Sequence, residues 1–413
     1  MSGRGGGRPG RRPTRCARRS PAWRRRYVDG LRNAPITARR CWTRNVPGGP
    51  LVSIRSISAR DAWARLARGE ARIIDVREPH EQALGVAPDA WRIPPPSLSR
   101  HPGLAACRPD AALMLICASG ARSRAAAGIL LAEGFSDVAS VEGGMAAWRA
   151  AGLPVESGGL DPAWADRYSR QIKLPEVGIA GQRKLEDARV LIVGAGGLGS
   201  PIALYLAAAG VGRIRLVDDD RVERSNLQRQ VLHAEARIGM RKVDSALETL
   251  CALNPAIAVE PVVGRLDEST IEALLDGVDV AVDGSDNLAT RYLLNRGCVR
   301  RAVPLVYGAV QGFEGQVGVF HPAADAPEMP CYNCLFPERP GVAPLPNCAE
   351  AGVLGVVPGT IGLLQATEVL KLLLGVGASL AGTLLHVDLS TADFRRLAIR
   401  ADPACEVCQK RAG

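Results

Sequence analysis

This sequence predicts an α/β protein of two successive domains, the first small and the second larger. Three observations carry that expectation. Short apolar runs alternate with helical patterns across residues 51–157, a Gly-rich stretch of linker composition follows, and a second alternating series opens on a strand feeding a glycine-rich turn. A chain of 413 residues is long enough to give each domain its own core.

The elements justify themselves in order. Ala71-Arg72-Ile73-Ile74-Asp75-Val76 and Ala112-Leu113-Met114-Leu115-Ile116 are apolar runs of strand length, and Arg124 to Glu133 has a helical pattern. Gly152-Leu153-Pro154-Val155-Glu156-Ser157-Gly158-Gly159 has the composition of a linker, which is bounded at 158–165. The larger domain, 166–413, starts its α/β pattern with Arg189-Val190-Leu191-Ile192-Val193 as a strand. Leu198 to Ala209 reads as the helix that follows, and Ile214-Arg215-Leu216-Val217 as the next strand, ending at Asp218. The sequence contains no internal repeat.

The net charge of +10 suggests a nucleic-acid binder until it is divided along the chain. Residues 1–50 hold 14 arginines against one acid, Asp29, so they carry +13 and leave −3 for the remaining 363. The basicity therefore belongs to a Gly-, Pro- and Arg-rich tail that cannot bury enough surface to fold alone. It reads as a disordered extension, with an electrostatic tether to RNA or another polyanion as the other reading, and no specific nucleic-acid site is expected. No signal-peptide core follows those charges, and the most apolar later stretch, Ile361 to Gly375, contains Glu368 and Lys371, so no membrane segment is expected. Eleven cysteines are diluted over a long chain and four form two C-x-x-C pairs, which fits the cytosol better than a secreted disulfide framework.

In the small domain, Cys117-Ala118-Ser119-Gly120-Ala121-Arg122-Ser123 lies between a buried strand and a helix. Loop amides and the helix N-terminus can point at the cysteine sulfur, and Arg122 adds a positive charge, a cradle that lowers a thiol pKa. That makes Cys117 a candidate nucleophile for carrying a sulfane atom. The segment resembles the rhodanese family, whose marks here are Asp75-Val76-Arg77-Glu78-Pro79, the C-x-x-G-x-R loop and Glu142-Gly143-Gly144-Met145-Ala146-Ala147-Trp148. The resemblance implies a sulfurtransferase domain over nearly all of 51–157. Two positions depart from the family: Val86 stands where a histidine is usual, and Ala118 where arginine is frequent. One charge fewer over the loop weakens recognition of a dianion such as thiosulfate.

The larger domain carries the nucleotide argument. Gly194-Ala195-Gly196-Gly197-Leu198-Gly199 with Asp218 downstream holds any adenosine-containing ligand, since the glycines admit phosphate and the carboxylate accepts ribose hydroxyls. Hydride transfer develops no new charge on phosphorus, whereas nucleotidyl transfer needs Arg, Lys and a carboxylate-held Mg²⁺ to neutralise it. Arg229, Lys242 and Asp286 are those residue types. Taken singly, the two bases read as solvated helix charges, and Asp286-Asn287 as caps of a helix from Leu288 to Cys298. Their joint occurrence with Ser225-Asn226-Leu227-Gln228-Arg229-Gln230 points to adenylation.

From about Arg167 onward the chain resembles the MoeB/ThiF family, relatives of ubiquitin-activating enzymes. The matching pieces are Arg167 to Gln171, the glycine turn, Ser225 to Gln230, Gly239 to Lys242, Asp286-Asn287 and both C-x-x-C pairs. The resemblance implies a Rossmann-like domain in which Asp218 holds the ribose of ATP, Asn226, Arg229 and Lys242 contact phosphates, and Asp286 binds Mg²⁺. It implies further that Arg170 reaches across from a partner subunit in a homodimer. The substrate it implies is the C-terminal Gly-Gly of a ubiquitin-like sulfur carrier, of the molybdopterin-synthase or the thiamine type. A persulfide on Cys117 supplies the sulfur at the high local concentration a tether gives, with a cysteine desulfurase as an upstream donor. In most fused relatives the rhodanese domain follows the adenylating one, and here it comes first.

Cys331-Tyr332-Asn333-Cys334 and Cys405-Glu406-Val407-Cys408 suit a four-thiolate, structural Zn²⁺ site; disulfides or a redox pair are the alternatives. Cys348 lies in Pro344-Leu345-Pro346-Asn347-Cys348-Ala349-Glu350, which reads as a crossover loop. In relatives a cysteine there bonds to the carrier or relays sulfur, and a loop residue without a role is the other reading. Cys107, Cys251 and Cys298 read as ordinary semi-buried cysteines, and His233 and His321 receive no role. Two rival functions stay open: a dinucleotide-dependent oxidoreductase, and an adaptor whose rhodanese domain only docks partners.

Overall fold

A computed structural model of the protein describes residues 54–156, 158–321, 329–338 and 352–408. The basic tail and Cys348 lie outside those residues. The smaller domain is a five-stranded parallel sheet, β1 (Arg55–Ile57), β2 (Arg72–Asp75), β3 (Trp91–Arg92), β4 (Leu113–Ile116) and β5 (Val138–Val141), in the order β1-β5-β4-β2-β3. Every residue of β4 is buried, as helices on both faces of a parallel sheet require. Side chains alternate between two cores: Leu113, Leu115 and Cys117 join one, Met114 and Ile116 the other. Helix α1 (Ala59–Ala67) starts where Ser58 accepts from the Asp61 amide, α2 (Ala121–Ala132) follows the Cys117 loop, and α3 (Gly144–Ala150) closes the domain. The fully buried Trp148 on α3 donates its indole proton to Pro154 O at 2.8 Å.

That last bond binds the chain beyond α3 to the smaller domain. Val86 and Glu156 form a backbone bridge, so the chain up to the expected linker is tied to the smaller domain. Helix α4 (Pro162–Ile172) begins inside the expected linker 158–165, because Asp161 caps it through the Ala163 and Trp164 amides. Leu84 of the smaller domain then packs with Tyr168 and Ile172 of α4, flanked by Trp164 and Ile179 of α5 (Gly178–Asp187). Within the smaller domain, Arg149 holds Leu84 by donating to its carbonyl oxygen at 2.7 Å.

The larger domain holds eight strands: β6 (Arg189–Val193), β7 (Arg213–Asp218), β8 (Ala258–Val263), β9 (Val280–Asp283), β10 (Leu305–Gln311), β11 (Glu314–Phe320), β12 (Thr383–Asp388) and β13 (Asp393–Ala398). Their order is β13-β12-β11-β10-β9-β6-β7-β8, parallel from β8 to β10 and antiparallel beyond. Val190 and Ile192 face the core under α6 (Gly199–Ala209), α7 (Lys242–Leu253) and α9 (Val356–Leu374), while Leu191 and Val193 face α8 (Leu288–Arg301). The chain order turns back beside β6, so the turn that follows β6 sits at the switch point where α/β sheets bind ligands.

Helix α8 runs three residues past its predicted end, and Asn287 caps it by accepting from the Thr290 amide. Helix α9 is, among the described residues, the one helix long and apolar enough to cross a membrane. Here one face of it, with Val357, Ile361, Ala366 and Val369, is buried, while Val356 and Leu363 are exposed. Glycines let it approach closely: a Cβ on Gly308 would lie 2.3 Å from Gln365 Cδ, on Gly315 2.3 Å from Ile361 Cγ1, and on Gly362 2.6 Å from Leu198 O.

Candidate active sites

The Cys117 loop is built by β4, α2 and α3 together. Gly143 and Gly144 take positive φ, which starts α3 hard against the loop, and the Met145 amide donates to Cys117 O at 2.7 Å. A Cβ on Gly144 would lie 2.2 Å from that carbonyl oxygen. The Glu-Gly-Gly-Met motif is thus a clamp on the nucleophile's own backbone. Cys117 is buried, and its sulfur accepts from the Gly120 amide at 3.1 Å and the Ser123 hydroxyl at 3.4 Å. Burial pushes the thiol up, but hydrogen bonds from Ser123, Ser119 and Gly120 outweigh it and hold the pKa below the ordinary value.

Arg122 brings its positive charge within electrostatic reach of Cys117, but shares it with an acid. Its guanidinium is joined to Glu81 through two bonds, Nη1 to Oε2 at 2.6 Å and Nη2 to Oε1 at 2.7 Å. The amides and the Ser123 hydroxyl do most of the lowering. Glu81 in turn belongs to a braced segment: Arg77 pairs with Asp75 at 2.5 Å and donates to Glu81 O and Gly85 O. Glu81 and Ser123 escaped the sequence reading, although both lie within or beside the quoted motifs.

In the larger domain Gly194 turns the chain at the end of β6 with φ +99°, and its amide donates to Val217 O at 2.8 Å. A Cβ on Gly194 would lie 2.7 Å from Gly284 O, and one on Gly199 1.9 Å from Gly194 O. Gly196 differs: a Cβ there would meet nothing nearer than Gln230 Nε2 at 3.7 Å, so the fold leaves room above this residue. Asp218 at the end of β7 is wired to the turn, with Oδ2 accepting from the Ala195 amide and Oδ1 from the Asp220 amide, both at 2.8 Å. Burial raises its carboxyl pKa against the pull of Lys242 and those two amides. His233, assigned nothing from sequence, holds the same turn: its ring nitrogens lie 3.0 Å from Ala195 O and 2.9 Å from Ser245 Oγ. Burial pushes its pKa down, which favours the neutral ring.

Ser225, Asn226, Leu227 and Gln228 form a tight turn that sends Arg229 to the glycines. The Arg229 stem lies 3.5 Å from where a Gly197 Cβ would stand, and its guanidinium bonds Ser225 O and Asn226 Oδ1 at 3.2 Å. Lys242 begins α7, is buried, and pairs with Asp220 at 2.8 Å. Asp286 is exposed between β9 and α8, and Asn287 beside it uses its side-chain oxygen for the cap. That loop is pinned from below. The buried Asp283 accepts from the Ser285 amide and hydroxyl and pairs with the partly buried Arg291 at 3.1 Å, and Arg291 donates to Ser285 O. Arg170 is exposed on α4. An exposed carboxylate such as Asp286 suits Mg²⁺, which takes one or two such oxygens together with phosphates.

The four C-x-x-C sulfurs converge, with Cys331–Cys405 at 3.6 Å, Cys331–Cys334 at 3.8 Å and Cys334–Cys408 at 3.5 Å. A tetrahedral Zn²⁺ with bonds of about 2.3 Å needs sulfurs roughly 3.8 Å apart, so the spacing fits. All four sulfurs lie within 4.8 Å of one another. Of the remaining cysteines Cys298 is fully buried and Cys251 exposed, a correction to the semi-buried reading, while Cys107 is half-buried.

Comparison with known proteins matches the ThiF family to residues 168–407, more than half of the sequence. The chain belongs to the ThiF family. A rhodanese-like domain matches residues 58–151 of this ThiF protein. A SAMP-activating enzyme E1 from Haloferax volcanii is 51% identical over 249 residues, 60% of this chain and 90% of that protein. A sulfur carrier protein adenylyltransferase from Thermus thermophilus is 51% identical over 59% of this chain and 90% of its own length. An adenylyltransferase and sulfurtransferase MOCS3 from Sus scrofa is 50% identical over 59% of this chain and 53% of its own length. Among solved structures, E. coli MccB with MccA-N7isoASN aligns with a TM-score of 0.50 and 25% identity, over 59% of this ThiF chain and 74% of that one.

Proposed function

We propose that this protein uses ATP to activate the C-terminal glycine of a ubiquitin-like sulfur carrier and replaces the AMP with sulfur delivered by Cys117. The observation that carries the proposal is the placement of Arg229 beside Gly197 and of Lys242, paired with Asp220, within electrostatic reach of Asp218. The glycine turn would admit the phosphates of ATP and Asp218 the ribose hydroxyls. The carrier's carboxylate attacks the α-phosphorus and pyrophosphate leaves, giving an acyl adenylate. Arg229 and Lys242 are the cations for the charge that builds on the phosphates. Asp286 would hold Mg²⁺, which supplies further neutralisation of the phosphate oxygens.

Sulfur enters from the smaller domain. A Cys117 persulfide attacks the acyl carbon and AMP leaves; a thiolate then attacks the Cys117 sulfur of the resulting acyl disulfide, expelling the thiocarboxylate and forming a disulfide with Cys117 that an external dithiol reduces. Cys348 is one candidate for the attacking thiolate. The names of the relatives, which pair adenylyltransferase with sulfur carrier or sulfurtransferase, support this reading. We assign Arg170 to the site of a second copy in a homodimer, a cysteine desulfurase as the persulfide donor, and the cytosol as the setting.

ATP–pyrophosphate exchange with each candidate carrier tests the proposal. Exchange should require a carrier, fall ~10²–10³-fold in Asp286→Ala, and persist in Cys117→Ser, which should form no thiocarboxylate. NAD(H) binding without any exchange would point to the oxidoreductase instead.

A further inference from the structure

Asp220 is tied to both of its neighbours in the nucleotide site. Its amide donates to Asp218 Oδ1 at 2.8 Å, its carbonyl accepts from the Lys242 amide at 2.9 Å, and its Oδ2 pairs with Lys242 Nζ at 2.8 Å. The Lys242 side chain is 6% exposed and that of Asp220 60%. A buried ammonium has to keep a hydrogen-bond acceptor, and Asp220 is the acceptor in contact with it. The surrounding titratable groups are Asp218 on the ribose side, His233 at the glycine turn, and Arg237 beyond it. The loop is sewn to the start of α7 by more than this pair: Arg221 and Arg241 form a backbone bridge, and the Val222 amide donates to Met240 O at 2.8 Å.

We propose that Asp220 is a positioning residue for nucleotidyl transfer, holding the Lys242 ammonium inside the cleft before nucleotide arrives and fixing where it stands as pyrophosphate departs. The catalytic consequence rests on the adenylation reading above; the pairing does not. A lysine ammonium is a point charge on a four-carbon stem with no fixed direction of its own. Anchored by Asp220 it is preorganised, and released it turns its head to water. Binding of ATP in the ground state depends chiefly on the glycine turn and Asp218. Charge that builds only in the transition state depends on where the cation stands.

Two measurements test this. Acetylation of Lys242 in nucleotide-free protein, read by peptide mass spectrometry, should be slow in wild type and markedly faster in Asp220→Ala. Exchange should fall ~10²-fold in kcat in Asp220→Ala with KM for ATP changed by less than about threefold, and Asp220→Asn, which keeps an acceptor for Nζ, should recover most of the rate. In a Lys242→Ala background, adding Asp220→Ala should cost nothing further, because one acts through the other. Equal labelling rates, an additional loss in the double variant, or a KM that rises in step with the fall in kcat would each overturn the proposal. A wild-type protein with no carrier-dependent exchange removes the adenylation reading and this catalytic consequence, and the labelling still decides whether Asp220 holds Lys242.

Discussion

Arg122 and Glu81 meet in a two-pronged ion pair at 2.6 and 2.7 Å beside the loop that holds Cys117. The Arg122 hydrogen bonds are the chief cause that Glu81 is held below its ordinary value of 4.5, against the opposing effect of burial. A lowered folded-state pKa means the stabilisation is present above 4.5 and is lost as pH falls through the folded value. Arg122→Gln should therefore lower stability at neutral pH by about 1 kcal/mol, since the arginine end is solvent-screened. Its deficit against wild type should shrink on acidification, as followed by urea-unfolding midpoints; a deficit that does not change with pH would contradict the pairing.

Cys117 should label early in a pH titration. Because donors to the sulfur outweigh burial, the midpoint of iodoacetamide modification should fall below the ordinary thiol value of 9.0. Ser123→Ala removes one donor and should move that midpoint upward while leaving exchange untouched. An unmoved midpoint would mean that the hydroxyl plays no part.

Gly196 and Gly199 separate folding from binding. Gly199→Ala drives a methyl 1.9 Å from Gly194 O and should destabilise the domain by more than about 3 kcal/mol. Gly196→Ala meets no atom closer than 3.7 Å, so its melting temperature should stay near wild type while ATP affinity drops, because the methyl occupies the phosphate's approach. Calorimetry on both variants reads the difference, and equal ATP affinity in Gly196→Ala and wild type would argue against this turn as the phosphate cradle.

Leu84 anchors the joint between the domains, where it is 5% exposed against Tyr168 and Ile172. Leu84→Asp places a charge in that apolar pocket and should release the smaller domain. Thiocarboxylate formation should then fall while pyrophosphate exchange continues. Protection of α4 amides from hydrogen exchange gives an independent readout, and unchanged protection would show that the joint does not depend on this side chain.

The four thiolates should retain one Zn²⁺ per chain through purification, and Cys405→Ser should lose it. Because metal binding is linked to folding, that variant should unfold at a lower temperature and no longer respond to chelator. Metal analysis showing no zinc in the wild type would refute the assignment.

Much of this was legible in the sequence because the signals are short and local. The strand-turn-helix run from Arg189 to Ala209 follows from apolar runs and glycines, and the structure places β6 and α6 within a residue of those bounds. The cysteine pairs announce themselves by spacing. What stayed hidden are pairings between residues far apart in the chain. Glu81 meets Arg122 across 41 positions, and His233 reaches Ala195 across 38. Nothing local to either residue names its partner, since the topology brings them together. Asp220 is hidden for another reason: in an acidic run of three, a residue bonded to a buried lysine looks the same as one bonded to water.

The notched contacts of helix Val356–Leu374 have a mechanical consequence. Its first turn bears on the phosphate side of the cleft, with Pro358 3.2 Å from where a Gly197 Cβ would stand and Gly355 lying so close to Gln228 O that a Cβ would fall 2.1 Å away. Sliding the rod by one residue, about 1.5 Å along its axis, would drive side chains into backbone at several points at once. One wall of the cleft is therefore a bolted beam. An insertion or deletion anywhere along it has no silent position, and any give needed to seat cargo of a different shape must come from elsewhere.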